Sequence, residues 1–117
     1  MNRRGRPTNN WTPDECKNKV LSILTDVSIE TGLPENIFNN IIGLKLRQRR
    51  LELGLNQTKT GKKLGVTFQQ VQKYETGLNG ISIIKLWKFC ILTDTDINWF
   101  FENVKDWETV VKQKERI

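Results

Sequence analysis

The stretch Leu55–Gly77, LNQTKTGKKLGVTFQQVQKYETG, decides the fold. It reads as two short helices joined by a tight turn that contains Gly65. Asn56 and Thr67 are both good N-cap residues, each able to take a free backbone N–H on its side-chain oxygen. Thr67 with Gln70 three residues later also fits a capping box, which gives the second helix a definite start. Gly65, just after Leu64, suits the left-handed position that closes a helix. A helix that begins sharply and carries Gln69 and Gln70 in its first turn is well shaped to offer amides to base edges in a DNA major groove.

Outward from this pair the chain reads as helical almost throughout, with no strand pattern and no internal repeat. Residues 1–11, MNRRGRPTNNW, are too polar and too rich in Arg, Asn and Gly to pack, and read as a flexible arm. Thr12-Pro13-Asp14-Glu15 combines an N-cap, a Pro at the first helical position and two acids near the positive end of the helix dipole. Cys16, Val20, Ile23, Leu24 and Val27 follow on one apolar stripe, and Gly32 with Pro34 ends this N-terminal helix, giving a segment 12–36. A second helix is expected from about Asn40 to Leu53, closed by Gly54. After the central pair, Ser82 caps a helix through Leu92 whose Ile83, Leu86, Trp87, Phe89 and Cys90 read as too apolar to be exposed. A last helix begins near Asn98 and extends toward the C-terminus, residues 98–117. Leu46, Leu53, Leu64, Val66, Val71 and Trp99 join Leu86 and Phe89 as expected core.

Charge points to an anionic partner. The chain of 117 residues, one domain's worth, carries 19 Lys and Arg against 13 Asp and Glu, a net +6. Thirteen of the basic residues but only 7 of the acidic ones precede residue 81, so the whole surplus lies on the arm, the early helices and the central pair. A clustered excess of this kind is the footprint of a phosphate-binding surface, although a solvated basic face would look alike. The basic N-terminus without an apolar signal run, and the absence of any 18-residue apolar run, argue against export and membrane spanning and for the cytoplasm. Cys16 and Cys90 sit at apolar helix positions and read as reduced core thiols. With no His and two distant Cys, a structural zinc site is ruled out, and no motif for catalysis or a cofactor stands out. The chain reads as no enzyme.

The order helix, LGLNQ, helix, Leu-Gly-Val, helix ending in Tyr-Glu-x-Gly, then two further helices, resembles the lambda-repressor-like helix-turn-helix family. That family includes phage repressors, Cro proteins and Xre-type regulators of bacteria. The resemblance covers roughly residues 40–101 and is strongest at LGLNQ and QKYETG. It implies an all-α, five-helix DNA-binding domain, here with an extra N-terminal helix and an extended C-terminal one, used as a homodimer on a partly palindromic operator. The recognition helix would then span about 67–75.

The same resemblance assigns roles residue by residue. Gln57 stands where a Gln contacts a phosphate and braces the first recognition residue, and Thr67, Phe68, Gln69 and Gln70 occupy the groove-facing positions. Gln69 is the first choice for bidentate readout of adenine, while Gln70 either reads a base or serves the capping box. Phe68 departs from the polar residue usual there and either packs on a thymine methyl or turns back toward the protein. Gln72 lies further along, and Lys73, a flexible point charge, fits a phosphate better than a base. Arg50 and Glu75 stand where the family often holds a salt bridge that fixes the recognition helix. Thr60-Gly61 replaces the usual Leu-Ala, and the loop Leu78–Ile81 lacks the usual Lys or Arg, which shifts phosphate contacts to Lys59, Lys62 or Lys63.

Arg4-Gly5-Arg6-Pro7 resembles an AT-hook, which lays two Arg into the narrow minor groove of A·T-rich DNA; a generic phosphate-binding or disordered tail is the plainer reading. Phe100, Val104, Trp107 and Val111 form an apolar seam, either packed with the N-terminal helix or forming a dimer interface anchored by Trp107, with Val104 and Val111 beside it. These features together point to a dimeric repressor of bacterial or phage origin, associated with double-stranded DNA in the nucleoid, with no cofactor and no membrane. Two readings stand beside it. One is an antitoxin that represses its own operon and holds a toxin; the other is a protein-interaction module that keeps the fold without specific DNA binding. A toxin or polymerase is the protein partner to consider.

Overall fold

The structure, a computed structural model, describes residues 11–26 and 35–104. Those residues form five α-helices, α1 (Pro13–Asp26), α2 (Glu35–Glu52), α3 (Gln57–Leu64), α4 (Phe68–Glu75) and α5 (Ile83–Thr93), followed by a 3-10 helix, Ile97–Val104. There is no strand among the described residues. The fold is all-α, as the sequence led one to expect.

Helix starts follow the cap chemistry. Thr12 and Glu15 form a reciprocal box before α1: the Thr12 N–H donates to Glu15 Oε1 at 2.8 Å, and the Glu15 N–H donates to Thr12 Oγ1 at 3.2 Å. The side chains of Asn56, Thr67 and Ser82 each accept from the backbone N–H three residues on, starting α3, α4 and α5. Gly65, at φ 75°, ends α3 in the left-handed conformation that only Gly takes without cost. Leu53, expected in the core, lies in the turn after α2 and is 37% exposed.

Helix α2 begins at Glu35, not near Asn40, so the last residues of the expected N-terminal segment 12–36 belong to it. Asn39 and Asn40 are poor helix formers and hid the start. Packing overrides them: a Cβ on Gly77 would stand 2.8 Å from Asn40 Cα, so the loop after α4 lies directly on this turn of α2. The expected stop at Gly32 and Pro34 lies outside the described residues, as does Val27 of the N-terminal stripe.

Two clusters make the core. Val20 of α1 packs with Ile41 and Leu44 of α2. Ile42, Leu46, Leu64, Tyr74, Leu86, Phe89 and Phe100 form the larger cluster, which gathers every later element. The last described element is a 3-10 helix where an α-helix was expected, the rest of the expected 98–117 helix lying outside the described residues, and its opening bond runs from the Trp99 N–H to the Asp96 carbonyl at 2.9 Å. It gives three consecutive aromatic rings separate partners. Phe100 meets Phe89 edge-on at 6.1 Å, Phe101 stacks near Phe38 at 6.3 Å, and Trp99 carries the Lys45 ammonium 3.8 Å from its ring centroid. Trp99 is therefore half-buried under a charge and not a fully enclosed core residue.

Helix α5 corrects a second expectation. Leu86, Phe89 and Cys90 face inward, but Ile83 and Trp87 face out, 66% and 55% exposed. The helix is apolar around most of its circumference, and the core covers one face only. Cys16 and Cys90 are both buried and free. Burial pushes the Cys16 thiol up to about 11 against the opposing pull of Arg47, so it stays protonated and inert at neutral pH.

Thr60 and Gly61 sit where α3 meets the start of α4. Thr60 Oγ1 is buried without a hydrogen-bond partner, a destabilising feature in itself. A Cβ on Gly61 would lie 2.6 Å from the Val66 carbonyl oxygen, so the Gly is needed for close approach. Helix propensity alone gives Gly61→Ala a gain of up to ~1 kcal/mol. The contact reverses that sign, and thermal unfolding of Gly61→Ala is expected to show a lower Tm than the unaltered chain.

Candidate nucleic-acid interface

Helix α4 divides its residues cleanly. Val71, Tyr74 and Glu75 are buried, while Phe68, Gln69, Gln72 and Lys73 are exposed and share its outer face. At about 100° per residue, those four fall within one arc of roughly 140°. Phe68 is 46% exposed, so its ring points out with the amides and does not turn back into the protein. Thr67 is committed to the cap, its Oγ1 accepting the Gln70 N–H at 3.2 Å. The return bond from the Gln70 side chain to Thr67 is not formed, so the half-buried Gln70 amide is not used up by the cap.

A buried ionic clamp holds the far end of α4. Arg50 donates from Nε to Glu75 Oε2 at 2.6 Å and from Nη2 to Glu75 Oε1 at 3.0 Å. Its third nitrogen, Nη1, donates to the Leu55 carbonyl at 3.0 Å, tying the turn before α3 to the same point. Arg47 adds a bond from Nε to Glu75 Oε1 at 3.3 Å. Gln57 Nε2 donates to that oxygen at 3.1 Å, so Gln57 braces the end of the recognition helix and not its first residue. The three charged side chains are 0 to 5% exposed. Bidentate guanidinium–carboxylate geometry fixes an angle as well as a distance, so α4 cannot pivot on α2 without breaking it.

Sequence reasoning missed Arg47. Its signal was available, since Arg47 lies three residues before Arg50 and so on the same face of α2. Helix α1 belongs to the clamp too. Trp11, just before it, sets its ring 5.6 Å from the Arg47 guanidinium carbon. Trp11 therefore lies against one cation of the cluster.

The buried cations also change the meaning of the basic surplus. Lys45, Arg47 and Arg50 are all inside, 3 to 4% exposed, and serve packing rather than phosphate binding. Burial pushes the Lys45 ammonium below its ordinary value, with Glu102, 4.0 Å away, pushing back. The outward cations near α4 are Lys59, Lys62 and Lys73, with Lys63 half-buried. Lys85 Nζ donates to the Leu64 carbonyl at 3.4 Å and closes the end of α3 against α5. Arg4 and Arg6 lie outside the described residues, as do Trp107 and Val111, and the Val104 side chain is likewise not described. No described helix is long and apolar enough to cross a membrane.

Residues 46–100, from mid-α2 to Phe100, match the Helix-turn-helix family. Among relatives, an uncharacterised HTH-type transcriptional regulator of Sinorhizobium medicae (strain WSM419) is 37% identical over 75 residues, 64% of this chain and 54% of that protein. An uncharacterised transcriptional regulator in the ATPase CF(0) region of Rhodospirillum rubrum is 39% identical over 64 residues, 55% of this chain and 59% of that protein. An uncharacterised HTH-type transcriptional regulator of Rickettsia conorii (strain ATCC VR-613 / Malish 7) is 35% identical over 68 residues, 58% of this chain and 54% of that protein. The matched region thus spans little more than half the length of these curated relatives. No solved structure matches the chain.

Proposed function

Through residues 46–100 the chain belongs to the lambda-repressor-like helix-turn-helix family, and from that premise we propose that it is a sequence-specific DNA-binding transcriptional regulator. It acts as a dimeric repressor that occupies a partly palindromic operator and blocks polymerase, without a cofactor. One observation carries this reading. The outer face of α4 exposes Phe68, Gln69, Gln72 and Lys73, and the helix is held at one angle by the Arg47–Arg50–Glu75 clamp. Gln69 reads a base edge, Gln70 and Gln72 support it, Phe68 packs on a thymine methyl, and Lys73, Lys62 and Lys63 take phosphates.

Trp11, the last residue of the expected arm, lies over Arg47 of the clamp, and Arg47 and Gln57 share one Glu75 carboxylate oxygen. Arg6 is five residues from Trp11, a reach of roughly 17 Å when extended. That suffices for Arg6, with Arg4 beyond it, to enter a minor groove flanking the site.

Selection of bound sequences from random duplex DNA, with unaltered chain and Gln69→Ala in parallel, tests the proposal. The unaltered chain is expected to enrich a palindrome. Gln69→Ala should lose discrimination at one position in each half-site, by about 1–3 kcal/mol or roughly five- to 150-fold. An A·T-rich but otherwise featureless pool would move the credit to Arg4 and Arg6. No enrichment at moderate salt would sink the regulator reading.

A further inference from the structure

The loop between α4 and α5 holds Asn79-Gly80, the one Asn-Gly pair in the sequence. Such a pair ordinarily serves a tight turn that needs a positive φ at one or both of its residues. Here neither residue has a positive φ, and the left-handed residue of this loop is Gly77, at φ 79°. Packing does not demand the second glycine either. A Cβ on Gly80 would lie 2.9 Å from Asn39 Oδ1, the end of a side chain that can turn aside. What distinguishes the pair is its chemistry. A glycine N–H next to an Asn side chain is sterically open, and both residues are exposed. Neither the Asn79 side-chain amide nor the Gly80 N–H makes a hydrogen bond among the described residues.

The reaction open to this pair needs only water. The Gly80 main-chain nitrogen, on losing its proton, attacks Asn79 Cγ and forms a new C–N bond. The Cγ–Nδ2 bond breaks, and the departing nitrogen takes up a proton and leaves as ammonia, which closes a succinimide ring. Water then opens the ring at either carbonyl. One opening gives aspartate; the other gives isoaspartate, whose main chain passes through Cβ and Cγ and is one carbon longer. Both products carry a new carboxylate. The surroundings turn that change into a change at α4. The Asn79 N–H donates to the Lys73 carbonyl at 3.2 Å, so the new charge stands at the C-terminal, negative end of the helix dipole. Lys73 is also a proposed phosphate contact, and a carboxylate beside it opposes the same anion. The loop is seated on α2 on either side of Asn79: a Cβ on Gly77 would lie 2.8 Å from Asn40 Cα, and Gly80 faces Asn39. An extra main-chain carbon between these two seats pushes one of them off.

We propose that Asn79-Gly80 is a self-modifying site: in the folded chain it converts through the succinimide to isoaspartate and aspartate, and the carboxylate placed at the end of α4 weakens DNA binding as the molecule ages. The effect on binding rests on the reading of α4 as the recognition helix. The reaction itself does not.

Ageing the full chain at physiological temperature and mildly alkaline pH, which favours the deprotonated Gly80 nitrogen, tests it. Samples taken over days are read by peptide mass, by isoaspartyl methyltransferase labelling and by anisotropy titration of the selected duplex. Asn79→Gln and Gly80→Ala run in parallel, with the unaltered chain in urea as the unfolded reference. The amide-to-acid mass gain and the methyl label are expected on the peptide that holds Asn79, at a rate close to that in urea. Asn79→Gln, which would have to close a larger ring, and Gly80→Ala, whose methyl obstructs the attack, stay unmodified there. The aged unaltered chain loses DNA affinity roughly fivefold or more, about the weight of one phosphate contact at moderate salt, while both variants keep theirs. Fresh Asn79→Asp shows the share of that loss due to charge alone. Modification in urea but not in the folded chain overturns the proposal. A fully modified chain that binds the duplex as tightly as a fresh one overturns it too. Where no duplex is selected, the DNA reading fails by itself, and mass and label still decide whether the site modifies itself.

Discussion

Glu75→Ala is expected to unfold at much lower urea than the unaltered chain, losing about 3–5 kcal/mol. The carboxylate is the acceptor on which a buried cluster converges: Arg50 makes a bidentate contact, Arg47 a third bond and Gln57 a fourth. Removing it strands the Arg50 guanidinium, which is 4% exposed and makes two of its three bonds to this carboxylate, and takes a bond from Arg47 as well. For a domain whose whole stability is of order 5–15 kcal/mol, that loss is a large fraction. A second variant separates stability from function. Replacing Arg47, Arg50 and Glu75 together by Met, Met and Leu removes the buried charges along with their desolvation cost. Such replacements are often neutral or stabilising. The triple variant is therefore expected to recover most of the stability lost by Glu75→Ala. If the clamp serves to aim α4, it will still bind the selected operator more weakly, by tenfold or more in anisotropy titrations. Full recovery of both stability and affinity would show the ion cluster to be incidental to DNA recognition.

The parts of this fold that were legible in the sequence are those whose cause is local. Asn56, Gly65 and Thr67 mark the limits of α3 and α4 because a cap is decided within three or four residues. The Arg50–Glu75 pair spans 25 positions and was visible only through resemblance to a family. Arg47 and Lys45 entered the sequence reading only as part of the basic surplus, because nothing local reveals that Trp11 and Trp99, far away in sequence, will meet them. Helix α5 failed for a different reason. Periodicity locates a face by contrast between apolar and polar positions, and a helix with Ile or Trp on one side and Leu or Phe on the other offers little contrast. The start of α2 was hidden by Asn39 and Asn40, whose weak propensity yields to contact with the Gly77 and Gly80 loop.

Gly43→Ala is expected to lower both stability and affinity for the selected DNA, although Ala is the better helix former by up to ~1 kcal/mol. Gly43 lies on α2 at the crossing with the last turn of α4. A Cβ there would fall well inside contact distance of the Tyr74 carbonyl oxygen and 3.1 Å from Glu75 Cα. Both obstacles are backbone, so no rotamer change relieves them. The helices must move apart, and overpacking of this kind typically costs about 1–3 kcal/mol, occasionally more. Separation at Tyr74 also pulls Glu75 from Arg50, whose shortest bond is 2.6 Å and whose forked geometry tolerates little displacement. The strain therefore spreads to the clamp, and the net loss should come to about 3 kcal/mol or more by urea unfolding. The consequence for binding discriminates between causes. Simple destabilisation lowers the folded fraction and is reversed at low temperature or with added osmolyte, leaving the intrinsic affinity of the folded chain unchanged. A reoriented α4 leaves the chain folded and the affinity reduced under every one of those conditions. The latter result is expected, because Gly43 lets the backbones of α2 and α4 approach closely enough for Arg50 and Glu75 to meet. Unchanged affinity in fully folded Gly43→Ala would show that α4 reads DNA without needing that approach.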